Sequence, residues 1–393
     1  MESNLPTNPR GMTLHIKFCR KCLWVSLISI QIFSYSLSAA GPDLIEIAEN
    51  VSIRQTESNE YLVTIANPVD SSSAQSYRLV STADSQPPAE SEQYSGVQSI
   101  QIPARRIVSL STTYIGPLEA IGALDHLVAV DNGGYLYSEE MRKRIQQESI
   151  TETGSAENLD LESIIAAKPD LVLLTRINPG QEAQETRIRE AGIPVLVTAA
   201  WKETNPLGRS EWIKLYGILT GKEEAAFRLF TETQDRYEEL TELIQTGSPT
   251  PAKVLLSAPF GGIWYMPGGQ SYTSAFLRDS GAESLWNENP STGSFPIDLE
   301  SALARGFNAD YWINPGRYAS LGELAQADER FAILPVFRNG QVYNRTRRIS
   351  ASGGNDFWES GSVYPDRVLA DLIAIFHPEL LPDHKFYYYE RLK

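Results

Sequence analysis

Cysteine is nearly missing from this chain, and its only two copies, Cys19 and Cys22, sit close to the N-terminus. Inside a folded domain their CxxC spacing would suggest redox or zinc chemistry. Here the surrounding segment reads as a removable leader, which leaves the rest of the chain without disulfides or a thiol nucleophile. Histidine is also sparse, with four copies in 393 residues. Beyond the leader only His126, His377 and His384 remain, too few to assemble the converging His and carboxylate ligands of a bare zinc or manganese site. The segment His377-Pro-Glu-Leu-Leu-Pro-Asp-His384 holds ligand-type residues, but its prolines mark it as structural. Positive charge is scarce too. A net charge of −15 repels polyanions and argues against nucleic acid as a partner, while leaving room for a local pocket of opposite sign. There is no G-x-S-x-G elbow and no P-loop, and Gly261-Gly-Ile-Trp-Tyr-Met-Pro-Gly-Gly269 lacks the spacing of a phosphate loop. A secreted α/β enzyme is therefore an alternative class with no motif to carry it.

The N-terminus has the three parts of a secretory signal. Lys17, Arg20 and Lys21 precede an apolar run, Leu23 to Leu37, which ends in the small residues Ser38-Ala39-Ala40-Gly41. The run is interrupted by Ser and Gln and falls short of the roughly 20 residues a membrane span needs. Cleavage after Ala40 is expected, and an uncleaved anchor is the alternative. Neither cysteine follows the apolar run, where a lipoprotein signal would need one. The first 40 residues carry four basic residues and one acidic residue, so their removal would take the net charge from −15 to −18.

From 41 to 104 the chain reads as strands. Tyr61–Ile65 and Tyr77–Val80 are β-rich and separated by turn residues, and Ser81–Ser95 forms a polar linker. After Arg105 short apolar strands alternate with helices, the grammar of a parallel sheet covered on both faces. A helix over 222–246 carries Ala226, Phe230, Tyr237, Leu240 and Ile244 on one stripe. The alternation then restarts at Lys253-Val-Leu-Leu256. The predicted architecture is α/β, with two Rossmann-like lobes (105–221 and 247–393) joined by a single long helix and preceded by a β-rich extension.

The lobes echo each other. Asp160-Leu-Glu-Ser163 and Asp298-Leu-Glu-Ser301 are identical tetrapeptides, each opening a helix that leads into a strand. Both aspartates suit N-caps, and Glu162 and Glu300 fall in first turns, where an acidic side chain gains about 0.3–1 kcal/mol from the helix dipole. That alone accounts for them as helix-end electrostatics. They also form one exposed carboxylate per lobe, suited to bidentate arginines on a symmetric partner.

Arg105-Arg-Ile-Val-Ser-Leu-Ser-Thr-Thr113, the Asn158-Leu-Asp-Leu-Glu162 unit with Lys168-Pro-Asp-Leu-Val172, and the long mid-chain helix together resemble the iron-siderophore and cobalamin class of periplasmic binding proteins. The resemblance runs from Arg105 to the C-terminus and leaves the extension unexplained. It implies two lobes flanking a cleft, a helix that limits their closure, and a monomer that hands a bulky ligand to an ABC importer permease in the inner membrane. It also implies that Glu162 and Glu300 dock on that permease. A ferric siderophore is the expected cargo, with cobalamin or haem as alternatives. Neither a cofactor nor a metal site of the protein's own is implied, because iron arrives wrapped in its chelator.

In open α/β sheets ligands bind beyond the carboxyl ends of the strands. That rule nominates Thr113, Tyr114, Tyr135, Tyr137, Arg176 and Trp201 in the first lobe, and Trp264, Tyr265, Tyr272 and Arg317 in the second. Tyr and Trp give a broad ligand large contact area at little entropy cost. Core packing is the competing role for each aromatic taken singly. Arg345, Arg347 and Arg348 follow a strand and would meet an anionic chelate if they reach the cleft, and Trp358 lies on a surface or cleft-edge loop.

Overall fold

The structure is a computed structural model and describes residues 40–56, 60–70, 72–81, 96–155, 158–177 and 180–393. The leader with Cys19 and Cys22, and most of the linker after Ser81, lie outside the described residues.

The extension folds as one sheet because β-rich segments put apolar and polar side chains on opposite faces. Its strands β1 (Ala40–Asp43), β2 (Val51–Thr56), β3 (Tyr61–Ala66), β4 (Ala74–Ser81) and β5 (Gln98–Ile102) run in that order, antiparallel except between β4 and β5. Ile53, Val63, Ile65, Tyr77, Leu79 and Ile100 point inward and share one core with Trp212, Leu215 and Ile218 of the first lobe. The extension completes that lobe's core.

The first lobe contributes β6 (Ile107–Ser109), β7 (Leu127–Val130), β8 (Thr151–Glu152), a small hairpin of β9 (Gly154–Ser155) and β10 (Asn158–Leu159), then β11 (Leu171–Thr175) and β12 (Val195–Thr198). Its main sheet is parallel in the order β12-β11-β6-β7-β8. Leu171 to Leu174 are all buried, as a strand covered on both faces requires.

The second lobe contributes β13 (Ala252–Leu256), β14 (Trp264–Pro267), β15 (Ala282–Ser284), β16 (Ser294–Ile297), β17 (Tyr311–Ile313), β18 (Val342–Asn344) and β19 (Glu390–Arg391). Its main sheet, β15-β13-β17-β18-β19, is parallel until the antiparallel β19 closes the edge. Strands β14 and β16 form a separate antiparallel pair.

One helix, Glu223–Gly247, joins the lobes. Ala226 and Phe230 on its buried stripe enter the first core, and Tyr237 and Ile244 enter the second. A single continuous helix is thus anchored in both cores.

The internal echo has a physical basis. Asp170 accepts the backbone N–H groups of Arg105 and Arg106 at 2.8 and 2.9 Å, fixing the entry to β6. Asp310 accepts that of Lys253 at 2.8 Å and does the same for β13. Asp160 and Asp298 both cap their helices, each accepting the N–H of the serine three residues on, at 3.1 and 2.7 Å. The Ser163 hydroxyl and N–H hold Asp160, and the Ser301 N–H and hydroxyl hold Asp298, below the usual carboxylate range.

Candidate ligand groove between the lobes

Two adjoining pockets, with about 790 and 860 Å³ of open space, both reach Arg209, Trp358 and Ser362 and together form one groove. The first-lobe side is lined at the carboxyl ends of β6, β11 and β12 by Ser111, Thr113, Tyr114, Thr175, Thr198 and Trp201. The Tyr114 ring lies on its floor, with the hydroxyl shared between Thr175 Oγ1 and Thr198 Oγ1 at 2.7 and 2.8 Å. Burial raises this phenol above its ordinary range, so it stays a neutral hydroxyl. Trp201 stands at the wall, 38% exposed, its indole N–H given to the Arg176 carbonyl at 3.2 Å.

The second-lobe side is built differently. Leu256, Tyr272, Phe276, Ile313, Asn314, Phe357 and Tyr389 form its walls, and two guanidiniums, Arg209 and Arg345, enter it. Arg209 lies over the Tyr272 ring at 5.1 Å, and its Nε is buried without a partner. Arg345 lies over Phe357 at 4.2 Å and Trp358 at 4.6 Å. Among the described residues neither arginine has a carboxylate within ion-pair distance, and burial lowers Arg345 below its ordinary pKa. Two nearby cations without counter-ions, stacked on aromatic faces, make a cradle for an anionic group.

The strand ends here are strained. Asn314 follows β17 at φ 57° and Ser257 follows β13 at φ 62°, left-handed conformations that a residue other than glycine adopts at a cost. Asn314 lines the groove, and its Oδ1 is buried there without a hydrogen-bond partner among the described residues.

Four of the ten nominated ligand residues therefore line the groove: Thr113, Tyr114, Trp201 and Tyr272. Six do not. Trp264 is 1% exposed, stacks on Trp312 at 5.9 Å and donates its N–H to the Leu256 carbonyl. It is core because β14 alternates in and out, and the outward position belongs to Tyr265, which is 43% exposed. Arg176 is buried in an ion pair with Glu185, and what it offers Trp201 is its backbone carbonyl. Arg317 is exposed on the loop after β17, outside the groove lining. Tyr135 and Tyr137 belong to a loop that meets the other lobe. Glu359 accepts the N–H groups of Tyr137 and Ser138 at 2.5 and 3.0 Å, Ser350 donates to the Leu136 carbonyl at 3.1 Å, and Arg348 lies over the Tyr137 ring at 5.0 Å. This contact brings the lobes together beside the groove.

Sequence reasoning missed Arg209. Its helix, Pro206–Glu211, is too short to show periodicity, and the capping Asn205-Pro206 pair marks only a helix start. Of the three flagged arginines only Arg345 lines the groove, while Arg348 pairs with Asp356 at 2.5 Å and Arg347 is exposed. Glu162 and Glu300 are both exposed in first helical turns, Glu300 3.6 Å from Arg330.

The histidines have structural partners. His384 Nε2 pairs with the fully buried Asp371 at 2.7 Å, and Asp371 also accepts the N–H groups of Tyr387, Tyr388 and Tyr389. His377 Nε2 bonds the Gly281 carbonyl, and His126 Nδ1 the Ala104 carbonyl. Among the described residues no group of three or more His, Cys, Asp or Glu is placed to hold a metal ion, and no helix is long and apolar enough to cross a membrane.

Residues 107–347 match the family model described as periplasmic binding protein, so the extension and the Trp358 segment fall outside the match. An uncharacterized lipoprotein of Methanocaldococcus jannaschii is 25% identical over 301 residues, covering 74% of this chain and 69% of the relative. The periplasmic heme binding protein of Pseudomonas aeruginosa superposes with a TM-score of 0.54 at 19% identity, over 74% of this chain and 98% of its own. An ABC-type Fe3+-hydroxamate transport system protein of Saccharomonospora viridis superposes equally well, at 0.54 and 18% identity, over 80% and 98%. With more than half of its length under the family model and the same two-lobed architecture, the chain belongs to the periplasmic binding protein family.

Proposed function

We propose that this protein is the solute-binding component of an ABC importer and captures an anionic ferric siderophore in the interlobe groove. One observation carries the cargo reading: Arg209 and Arg345 enter the groove without counter-ions, flanked by Tyr272, Phe357 and Trp358. Leaving two partly desolvated cations unpaired is unfavourable in the free protein and is relieved when an anion binds. The groove residues supply binding and no reaction.

The ligand sits between the lobes, and its contacts with both sides draw them together, while the helix Glu223–Gly247 limits the movement. Glu162 and Glu300, one per lobe, then seat the protein on arginines of a permease. The protein acts outside the cytoplasm as a monomer, exported by its N-terminal leader and either released or held at the membrane by it.

The test is intrinsic tryptophan fluorescence of the folded protein, read chiefly from Trp358 and Trp201, which are 48% and 38% exposed. The titrants are a ferric tris-catecholate, ferric citrate, a neutral ferric tris-hydroxamate, cyanocobalamin and haemin, with iron-free chelators as controls. Saturable quenching at sub-micromolar anionic ferric chelate is expected. Binding of cobalamin or haemin alone would replace the cargo reading, and no binding of any titrant would overturn it. The docking reading expects the Glu162→Ala, Glu300→Ala double variant to lose uptake while keeping ligand affinity. A large loss of affinity in that variant would contradict it.

A further inference from the structure

The extension lies outside the family match, yet one of its loops reaches the back of the groove. Between β1 and β2 the chain passes over the helix Pro206–Glu211, and two buried carboxylates hold it there. Glu211 accepts the N–H groups of Glu46, Ile47 and Ala48 at 2.9, 2.7 and 2.9 Å. Glu203 accepts those of Glu49 and Asn50 at 3.0 and 2.9 Å and the Trp212 indole N–H at 3.0 Å. Lys214 balances the charge, bonding Glu211 at 2.7 Å and the Leu44 carbonyl at 3.0 Å. Glu211 is 0% exposed and Glu203 2%, so each depends on these donors for the water it has lost.

The same short helix faces the groove on its other side. Arg209 and Ser210 line the groove, and Ser210 donates to the Val363 carbonyl at 2.9 Å. Leu207 packs into the second core, Trp212 into the first, and Ile47 of the loop touches both. The loop fits closely. A Cβ added to Gly208 would lie 3.3 Å from the Ala48 Cα and from the Ile47 carbonyl oxygen. Arg209 stacks on the Tyr272 ring, but among the described residues it has no ion-pair partner and its Nε is unpartnered. Its stem is anchored in the helix backbone, and the loop holds that backbone from behind.

We propose that Glu203 and Glu211 are positioning residues, which clamp the loop Glu46–Asn50 of the extension against the helix Pro206–Glu211 and thereby place Arg209 for anion binding. The extension then acts on affinity without touching the ligand. The binding half of this inference rests on the anionic-cargo reading above, and the placement half does not.

Four variants of the full chain test it: Glu211→Gln, Gly208→Ala, Arg209→Gln, and Glu60→Gln as a control. Glu60 lies in the same extension but pairs with Arg78 at 2.7 Å, away from the helix. The first readout needs no ligand. In protein labelled with 15N-arginine, the Arg209 Nε–Hε resonance is identified by its loss in Arg209→Gln. It is expected to shift in Glu211→Gln and in Gly208→Ala and to stay in place in Glu60→Gln. Should Glu211→Gln fail to fold, Gly208→Ala carries the test alone. The second readout is ferric citrate titration. Glu211→Gln is expected to weaken binding roughly tenfold, the scale of one misplaced charge-assisted hydrogen bond, and to add nothing in the Arg209→Gln background. A loss from general loosening would persist in that background. An unmoved Arg209 resonance in the folded variants, or equal and additive losses with and without Arg209, would overturn the proposal. If no chelate binds while the resonance shifts, the placement holds and the cargo reading fails.

Discussion

Glu359 offers a quantitative check on the contact between the lobes. Its side chain comes from the short helix Asp356–Glu359, is 1% exposed, and accepts two N–H groups from the first lobe. Among the described residues no cation pairs with it, and Arg348 is taken by Asp356 at 2.5 Å. Burial therefore dominates and pushes Glu359 from 4.5 up to about 7, with the two N–H bonds opposing and the negative charges of Asp356 and Glu119 adding. A native pKa above the ordinary value means the folded protein holds a proton that the unfolded chain releases. Stability must then fall as pH rises from about 4.5 to about 7 and level off above that, where the buried charge is fully present. That shift is worth at most about 3 kcal/mol at 1.36 kcal/mol per pKa unit. Glu359→Gln fixes the side chain in a neutral form of the same shape. Denaturant unfolding of both proteins at several pH values between 5 and 8.5 is the assay. The wild type is expected to gain on the variant by about 2–3 kcal/mol between pH 8 and pH 5. Asp131 and Asp279, also raised by burial, slope the same way but are present in both proteins and cancel in the difference. Parallel stability curves for the two proteins would refute the reasoning.

Two further substitutions separate core from contact. Trp264→Ala removes a buried indole stacked on Trp312 and edge-on to Phe331, and should cost about 3–5 kcal/mol in denaturant unfolding with ligand affinity unchanged; weakened binding without lost stability would return Trp264 to the groove. Gly116→Ala would put a Cβ 1.9 Å from the Glu359 carbonyl oxygen, so it should cost about 1–3 kcal/mol and enlarge the radius of gyration in small-angle scattering by parting the lobes, whereas an unchanged radius would show that the contact yields locally.

The sequence disclosed most where a feature is local. Leu171–Leu174 is wholly apolar and lies buried in a parallel sheet, and the identical tetrapeptides at Asp160 and Asp298 make the same cap in both lobes, because strand burial and capping depend on a few adjacent residues. The strand-end rule found Thr113, Tyr114 and Trp201 for a similar reason, since each follows a parallel strand whose direction fixes where its loop opens. It failed at Trp264, where the glycine-rich segment pairs into a strand whose alternation turns the indole inward, and at Tyr137, whose loop is taken up by the opposite lobe. Arg209 had no local signal at all. Its exposure to the groove follows from contacts between residues more than 150 positions apart, Glu46–Asn50 on one side and Glu203 and Glu211 on the other. Nothing in Pro206-Leu-Gly-Arg-Ser-Glu211 read alone distinguishes a surface helix from the junction of two cores. Groove residues such as Arg209 are therefore the least legible part of such a chain, because two-lobed folds build part of their grooves where segments distant in sequence meet.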